Sequence, residues 1–157
     1  MRNFLAVLGG ILVLLIVMFI GAAIYMGVQL GPAQEEAKTY VRESIFAIAS
    51  DWSADEVYVR ASDKLKGILK EPEVIALMQQ GARTVGGLNA LDEIECSTNM
   101  STSTGQGKVV TAECTTTGSH QRGSVDYTIA VEKRNDTWSM NAFHYNVTAI
   151  EETATEI

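Results

Sequence analysis

Histidine, cysteine and proline each occur only twice in this chain of 157 residues. With His120 and His144 as the whole histidine supply, no Cys/His/Asp spacing matches a zinc site. The motifs that carry common chemistry are missing as well. There is no helical H-E-x-x-H, no G-x-S-x-G elbow and no phosphate-binding glycine loop. Gly105-Gln106-Gly107 is too short and too hairpin-like to cradle a nucleotide. Serine, histidine and aspartate are present, but at no spacing diagnostic of a nucleophilic triad. The carboxylates Asp92, Glu93 and Glu95, with Glu151 and Glu152, do not form the closed loop of six to eight oxygens that calcium takes, and they read as solvated faces. The expectation is a protein that is not an enzyme and has no metal or cofactor.

Charge is the other local absence. No charged residue lies between Asn3 and Gln34, although the chain carries nineteen acids, twelve bases and a net charge of −7. All nineteen acids and eleven of the bases follow Gln34, which leaves −8 on that part. An acidic domain is repelled by phosphates, so nucleic acid is not an expected partner. The neutral stretch contains an apolar run, Phe4–Leu30. That run exceeds the roughly 20 helical residues needed to span a bilayer core and the 7–15 of a signal-peptide core. It reads as an uncleaved single-span anchor. The competing reading is cleavage after Ala23 or Ala33. Arg2 precedes the run and Glu35-Glu36 follow it, so the positive-inside bias places the N-terminus in the cytoplasm. The expected organisation is residues 1–31 as cytoplasmic N-terminus and transmembrane anchor, 32–150 as one extracytoplasmic domain, and 151–157 as an acidic tail. The expected location is a bacterial inner membrane, with the domain periplasmic or extracellular.

Helical periodicity comes first within the domain. Pro32 breaks from the membrane helix, and Ala33–Ser50 carries Ala37, Val41, Ile45 and Ile48 at helical spacing. Ser53 with Glu56 is a capping box and opens a second helix expected to carry Val57, Ala61, Leu65 and Leu69. Pro72 begins a third, with Val74, Leu77 and Met78 on its buried stripe and a stop at Gly81 or Gly86-Gly87. After Gly87 the period becomes two. Leu88–Thr98, Lys108–Thr117, Gly123–Lys133 and Thr137–Thr148 read as four strands, with turns at Ser101–Gly107 and Arg134-Asn135-Asp136. Val125, Tyr127, Ile129 and Val131 share one face. A β-bulge near Asn141-Ala142 turns Trp138, Met140, Phe143, Tyr145 and Val147 all inward. Helices followed by antiparallel strands make an α+β fold, with about three helices on one face of a curved four-stranded sheet.

Cys96 and Cys114 are equidistant from Gly105 on neighbouring strands, so a simple hairpin sets them opposite each other, within disulfide range. In an oxidising compartment they pair. Two buried thiols packed as small apolar residues are the alternative. His120 lies in a polar turn and reads as solvated; His144 points away from the core. The aromatics Trp52, Tyr127, Trp138 and Tyr145 either line a pocket or partner-binding surface, or pack as core. Trp52 in particular either staples the helix junction or is exposed for a partner. Three Asn-x-Ser/Thr patterns begin at Asn99, Asn135 and Asn146 and matter only in a host that glycosylates such sites.

Several of these features resemble a known arrangement. They are the anchor, the Ser-Asp-Trp-Ser junction, Ala61-Ser62-Asp63, Gly86-Gly87-Leu88, Lys108–Thr117, the Gly118–Gly123 turn, and the charged turn before Trp138. Together they look like small single-pass proteins whose exported domain is similar to the cytochrome oxidase assembly factor family and to NTF2-like or cystatin-like folds. The resemblance implies helices on a curved sheet and a role in assembly or binding, and carries over no active site. The expected function is a membrane-anchored domain that binds other membrane or extracytoplasmic proteins as an accessory or assembly factor. The alternative is a small-ligand or sensing domain with a cavity between helices and sheet.

Overall fold

The computed structural model describes residues 16–18, 31–103 and 107–150. Most of the Phe4–Leu30 run, with its direction of insertion, and the 151–157 tail lie outside the described residues. Ile16, Val17 and Met18 are helical and exposed. Among the described residues no helix is long and apolar enough to cross a membrane.

The first helix of the domain, α1, covers residues 31–49. Gly31 and Pro32 are themselves helical, so Pro32 does not stand outside the helix as the sequence reading had it. Ala37, Val41, Ile45 and Ile48 form its fully buried face. The chain leaves α1 through Trp52, whose φ of 55° is in the left-handed region that non-glycine residues rarely adopt. Ser53 then caps α2 (Ala54–Arg60) by accepting from the Glu56 amide. This helix is shorter than the periodicity implied. Ala61 becomes extended and bridges Met140, the Ser62 amide donates to the Met140 carbonyl, and the Ser62 hydroxyl caps a new short helix, α3 (Asp63–Lys66). A second serine cap competes with helix continuation, because its oxygen satisfies an amide that the helix would otherwise have to supply. Pro72 lies in the first turn of α4 (Glu71–Val85), which runs through Gly81 and stops at Gly86, φ 74°. Val74 and Met78 are buried as expected, but Leu77 is 44% exposed.

The sheet has five strands, not four: β1 (Leu88–Leu91), β2 (Glu95–Ser103), β3 (Gly107–His120), β4 (Gly123–Arg134) and β5 (Thr137–Ile150). The first expected strand is split at Asp92–Ile94. There the Asp92 amide donates to the Thr117 carbonyl while Ile94 turns into the core. Both pieces pair antiparallel with β3, β1 at its end and β2 along Gly107–Thr115, so they lie end to end on one edge. On the other side β3 pairs β4, and β4 pairs β5. Cys96 is directly opposite Cys114 and the two form a disulfide. Asn135 and Asp136, both at positive φ, close the β4–β5 hairpin as its twist requires. The expected bulge is present: Ala130 pairs Ala142 while Val131 pairs Met140, leaving Asn141 extra, and a second bulge falls at Thr148. Val125, Tyr127, Ile129, Val131 and Met140 therefore join Ala37, Val41, Ile45 and Ile48 in one core between helices and sheet. Trp138, Phe143, Tyr145 and Val147 pack against it.

Candidate functional site

The aromatics singled out from the sequence divide into two groups. Trp52, Tyr127 and Tyr145 meet in the core, with Phe143 and an unexpected member, His120. Trp52 is 4% exposed and is not a surface for a partner. Its indole covers Gly81, where a side chain would collide with the ring, and its Nε1 donates to the Gly86 carbonyl at 2.7 Å. Of the two roles open to it, the structure assigns the staple. Its ring lies 5.5 Å from His120 and 4.9 Å from Tyr145, and Tyr127 lies 5.9 Å from Phe143. Tyr145 donates to the Leu77 carbonyl, tying β5 to α4.

His120 corrects the sequence reading. It is the last residue of β3, not a solvated turn residue, and it is 6% exposed. The turn is tighter than expected, at Gln121-Arg122, and β1 covers the strand end by pairing Leu88 with His120. Nδ1 is 2.9 Å from the Gly86 carbonyl, which can only accept, so Nδ1 carries the proton. Nε2 then accepts from the Tyr127 hydroxyl at 2.7 Å. Burial holds the imidazole pKa below the ordinary histidine value and pushes the Tyr127 phenol well up. Trp52 and His120 thus both donate to one glycine carbonyl, and Tyr127 donates to the other imidazole nitrogen. These bonds tie the end of α4 to β3 and β4.

Trp138 belongs elsewhere. It stacks on Tyr40 of α1, centroids 6.3 Å apart, and its Nε1 faces the Glu36 carboxylate at 3.4 Å. Lys133 bonds the same carboxylate at 2.6 Å. That hydrogen bond holds the Glu36 carboxyl below its usual range and raises the lysine. The clasp fixes the first turns of α1 to the β4–β5 hairpin. Beside it is a hollow of about 430 Å³ lined by Pro32, Ala33, Glu36, Met100, Lys108, Val110, Lys133, Asn135 and Asp136. It is the mouth between helix and sheet, and none of the four expected aromatics lines it.

The outer sheet face has a different chemistry. Glu113, Thr115 and Thr117 of β3 point outward beside Asp126 and Thr128 of β4 and Glu95 and Ser97 of β2. Two shallow hollows open there. One, about 470 Å³, holds Asp92, Glu93, Glu95 and Asp126 around four threonines; the other, about 370 Å³, holds Glu95 and Glu113 beside Ser97. No lysine or arginine lines either. Among the described residues no group of three or more His, Cys, Asp or Glu side chains is arranged to hold a metal ion. His144, exposed, pairs with Thr128 on this face.

Sequence reasoning missed His120, which nothing local marks. It reads the acids Asp92, Glu93 and Glu95, and the outward Glu113 and Asp126, as solvated faces; the structure brings them together on one side of the sheet. No family model, no curated protein and no solved structure matches this chain.

Proposed function

We propose that this chain is a membrane-anchored extracytoplasmic domain that binds other proteins, as an accessory or assembly factor for a membrane complex. One observation carries the reading. The interior aromatics that would line a ligand cavity contact one another and have their polar atoms bonded within the fold, which points to the surface for binding. The Phe4–Leu30 run and the Cys96–Cys114 disulfide fit an anchored domain facing an oxidising compartment. The test is affinity capture of the tagged full-length chain from membranes in mild detergent, after crosslinking. Stoichiometric co-purification of one or a few membrane or exported proteins is expected. A chain that is recovered alone and monodisperse refutes the proposal.

The hollow beside the Glu36–Lys133 clasp favours a second reading, small-ligand binding at the helix–sheet mouth. Native mass spectrometry distinguishes the two. A bound small molecule that is lost in Lys133→Ala supports the ligand reading.

A further inference from the structure

The two long edges of the sheet are not alike. Natural sheets blunt their edges with lysine, proline, bulges or a covering element, because unpaired backbone groups recruit other strands. The β5 edge has such devices: bulges at Asn141 and Thr148, and the α2–α3 joint, which pairs Ala61 with Met140 and bonds the Met140 carbonyl. Among the described residues the β2 edge lacks them, apart from one α1 side chain at Cys96. Its register against β3 is unbroken from Glu95 to Ser103, and the strand contains no lysine, arginine or proline. The Gln34 side chain donates to the Cys96 carbonyl, which shows that this carbonyl faces away from β3. By the alternation of an antiparallel ladder, Thr98 and Met100 present their N–H and C=O groups outward too. The disulfide holds this edge to β3 and so pre-organises it.

Charge names the occupant. Outward on the same margin are Glu95 and Glu113, with the small Ser97 between Glu95 and Asn99 on β2 and directly opposite Glu113. Strands are about 4.8 Å apart. A long cation on an added strand, placed beside Ser97, therefore reaches Glu95 diagonally and Glu113 across the serine. Asp92, Glu93 and Asp126 continue the negative surface.

We infer that the β2 edge docks an extended, lysine- or arginine-bearing segment of a partner protein as an added strand. Main-chain bonds to Thr98 and Met100 give the grip, and Glu95 and Glu113 select the charge. This rests on the protein-binding reading and specifies its site.

The probe is a labelled nine-residue peptide alternating lysine with valine, titrated by fluorescence anisotropy against the full-length chain in mild detergent. Its counterpart carries glutamate in place of lysine. The lysine peptide should bind roughly tenfold or more tighter than the glutamate peptide. The double variant E95Q/E113Q should weaken it about fivefold, as expected of two solvent-exposed pairs. Thr98→Pro removes an outward N–H together with a buried hydroxyl that has no hydrogen-bond partner; an edge strand tolerates proline at such a position, so the substitution should abolish binding with the far-UV spectrum unchanged. Equal binding of the two peptides, no binding of the lysine peptide at millimolar concentration, or wild-type binding by a folded Thr98→Pro variant would overturn the inference. If Thr98→Pro misfolds, E95Q/E113Q decides: unchanged binding overturns it. A cellular partner captured equally by wild type and Thr98→Pro removes the edge while leaving the protein-binding reading intact. Peptide docking without any captured partner does the reverse.

Discussion

Replacing Gly81 with alanine sets a helix-propensity gain against a steric cost, and the structure says which is larger. Gly81 is inside α4, where alanine is ordinarily better than glycine by about 0.5–1 kcal/mol. Here an added Cβ would lie 2.5 Å from Cε3 and Cζ3 of Trp52. The indole cannot simply swing aside, because its Nε1 bonds the Gly86 carbonyl and its ring is wedged against His120 and Tyr145. Overpacking of this kind costs about 1–3 kcal/mol, and an indole N–H pulled from its acceptor in the core costs about as much again. A net loss of about 3 kcal/mol is expected, which lowers the unfolding midpoint by roughly 10–15 °C for a domain of this size. Two companions make the reasoning strict. Gly67 has helical φ, −67°, and an added Cβ meets only ordinary contacts at 3.5 Å, so Gly67→Ala should stabilise by about 0.4–1 kcal/mol. In a Trp52→Ala background, itself destabilised by about 3–5 kcal/mol, the collision is gone and Gly81→Ala should turn stabilising. Urea unfolding of the full-length chain, followed by far-UV circular dichroism, measures all four. A Gly81→Ala protein as stable as wild type, or a substitution effect of the same sign in both backgrounds, refutes the staple.

The buried imidazole makes stability depend on pH. His120 is neutral in the fold with its pKa lowered, so an unfolded chain binds a proton that the folded one refuses; stability is full above about 6.5 and falls as pH drops below it. The slope between pH 6.5 and about 5, above the ordinary carboxylate range, should flatten in His120→Gln, as read by denaturant midpoints at each pH. Reducing the Cys96–Cys114 bond, whose cysteines are 18 residues apart, should cost about 3 kcal/mol, measured with and without reductant. Asp136→Gly puts glycine at a φ of 60° in an Asn-x hairpin turn and should raise stability by several tenths of a kcal/mol, since the side chain it removes is almost fully exposed.

What the sequence made legible was whatever is decided within one element or between neighbouring strands. The α1 stripe, the Ser53 cap, the Asn135-Asp136 turn, the Asn141 bulge and the Cys96–Cys114 register are all of this kind. Each follows from a period, a cap or a count about a hairpin, and a slip of one residue would have exposed an entire apolar face. The errors share the opposite character. The second helix continues in pattern through Leu65, yet Ser62 caps a new one because Met140, far along the chain, is there to receive Ala61 and the Ser62 amide. His120 reads as a polar turn because Gly118, Ser119 and Gln121 surround it; it is buried because β1 folds over the end of β3 and Gly86 offers a carbonyl.

Trp52 shows how the two kinds of information meet. Its neighbours Asp51 and Ser53 describe a junction correctly, but only Gly81, on another helix, explains why an aromatic ring is there. A residue at positive φ with a large side chain is a poor local choice. It persists because the ring fills the one groove in α4 that lacks a Cβ and delivers its N–H to the carbonyl that also orients His120. With those groups satisfied internally, alternation leaves other polar groups outward, among them the β2 backbone at Thr98 and Met100 and the carboxylates of Glu95 and Glu113 beside it. On the protein-binding proposal, these are the groups that a partner strand meets.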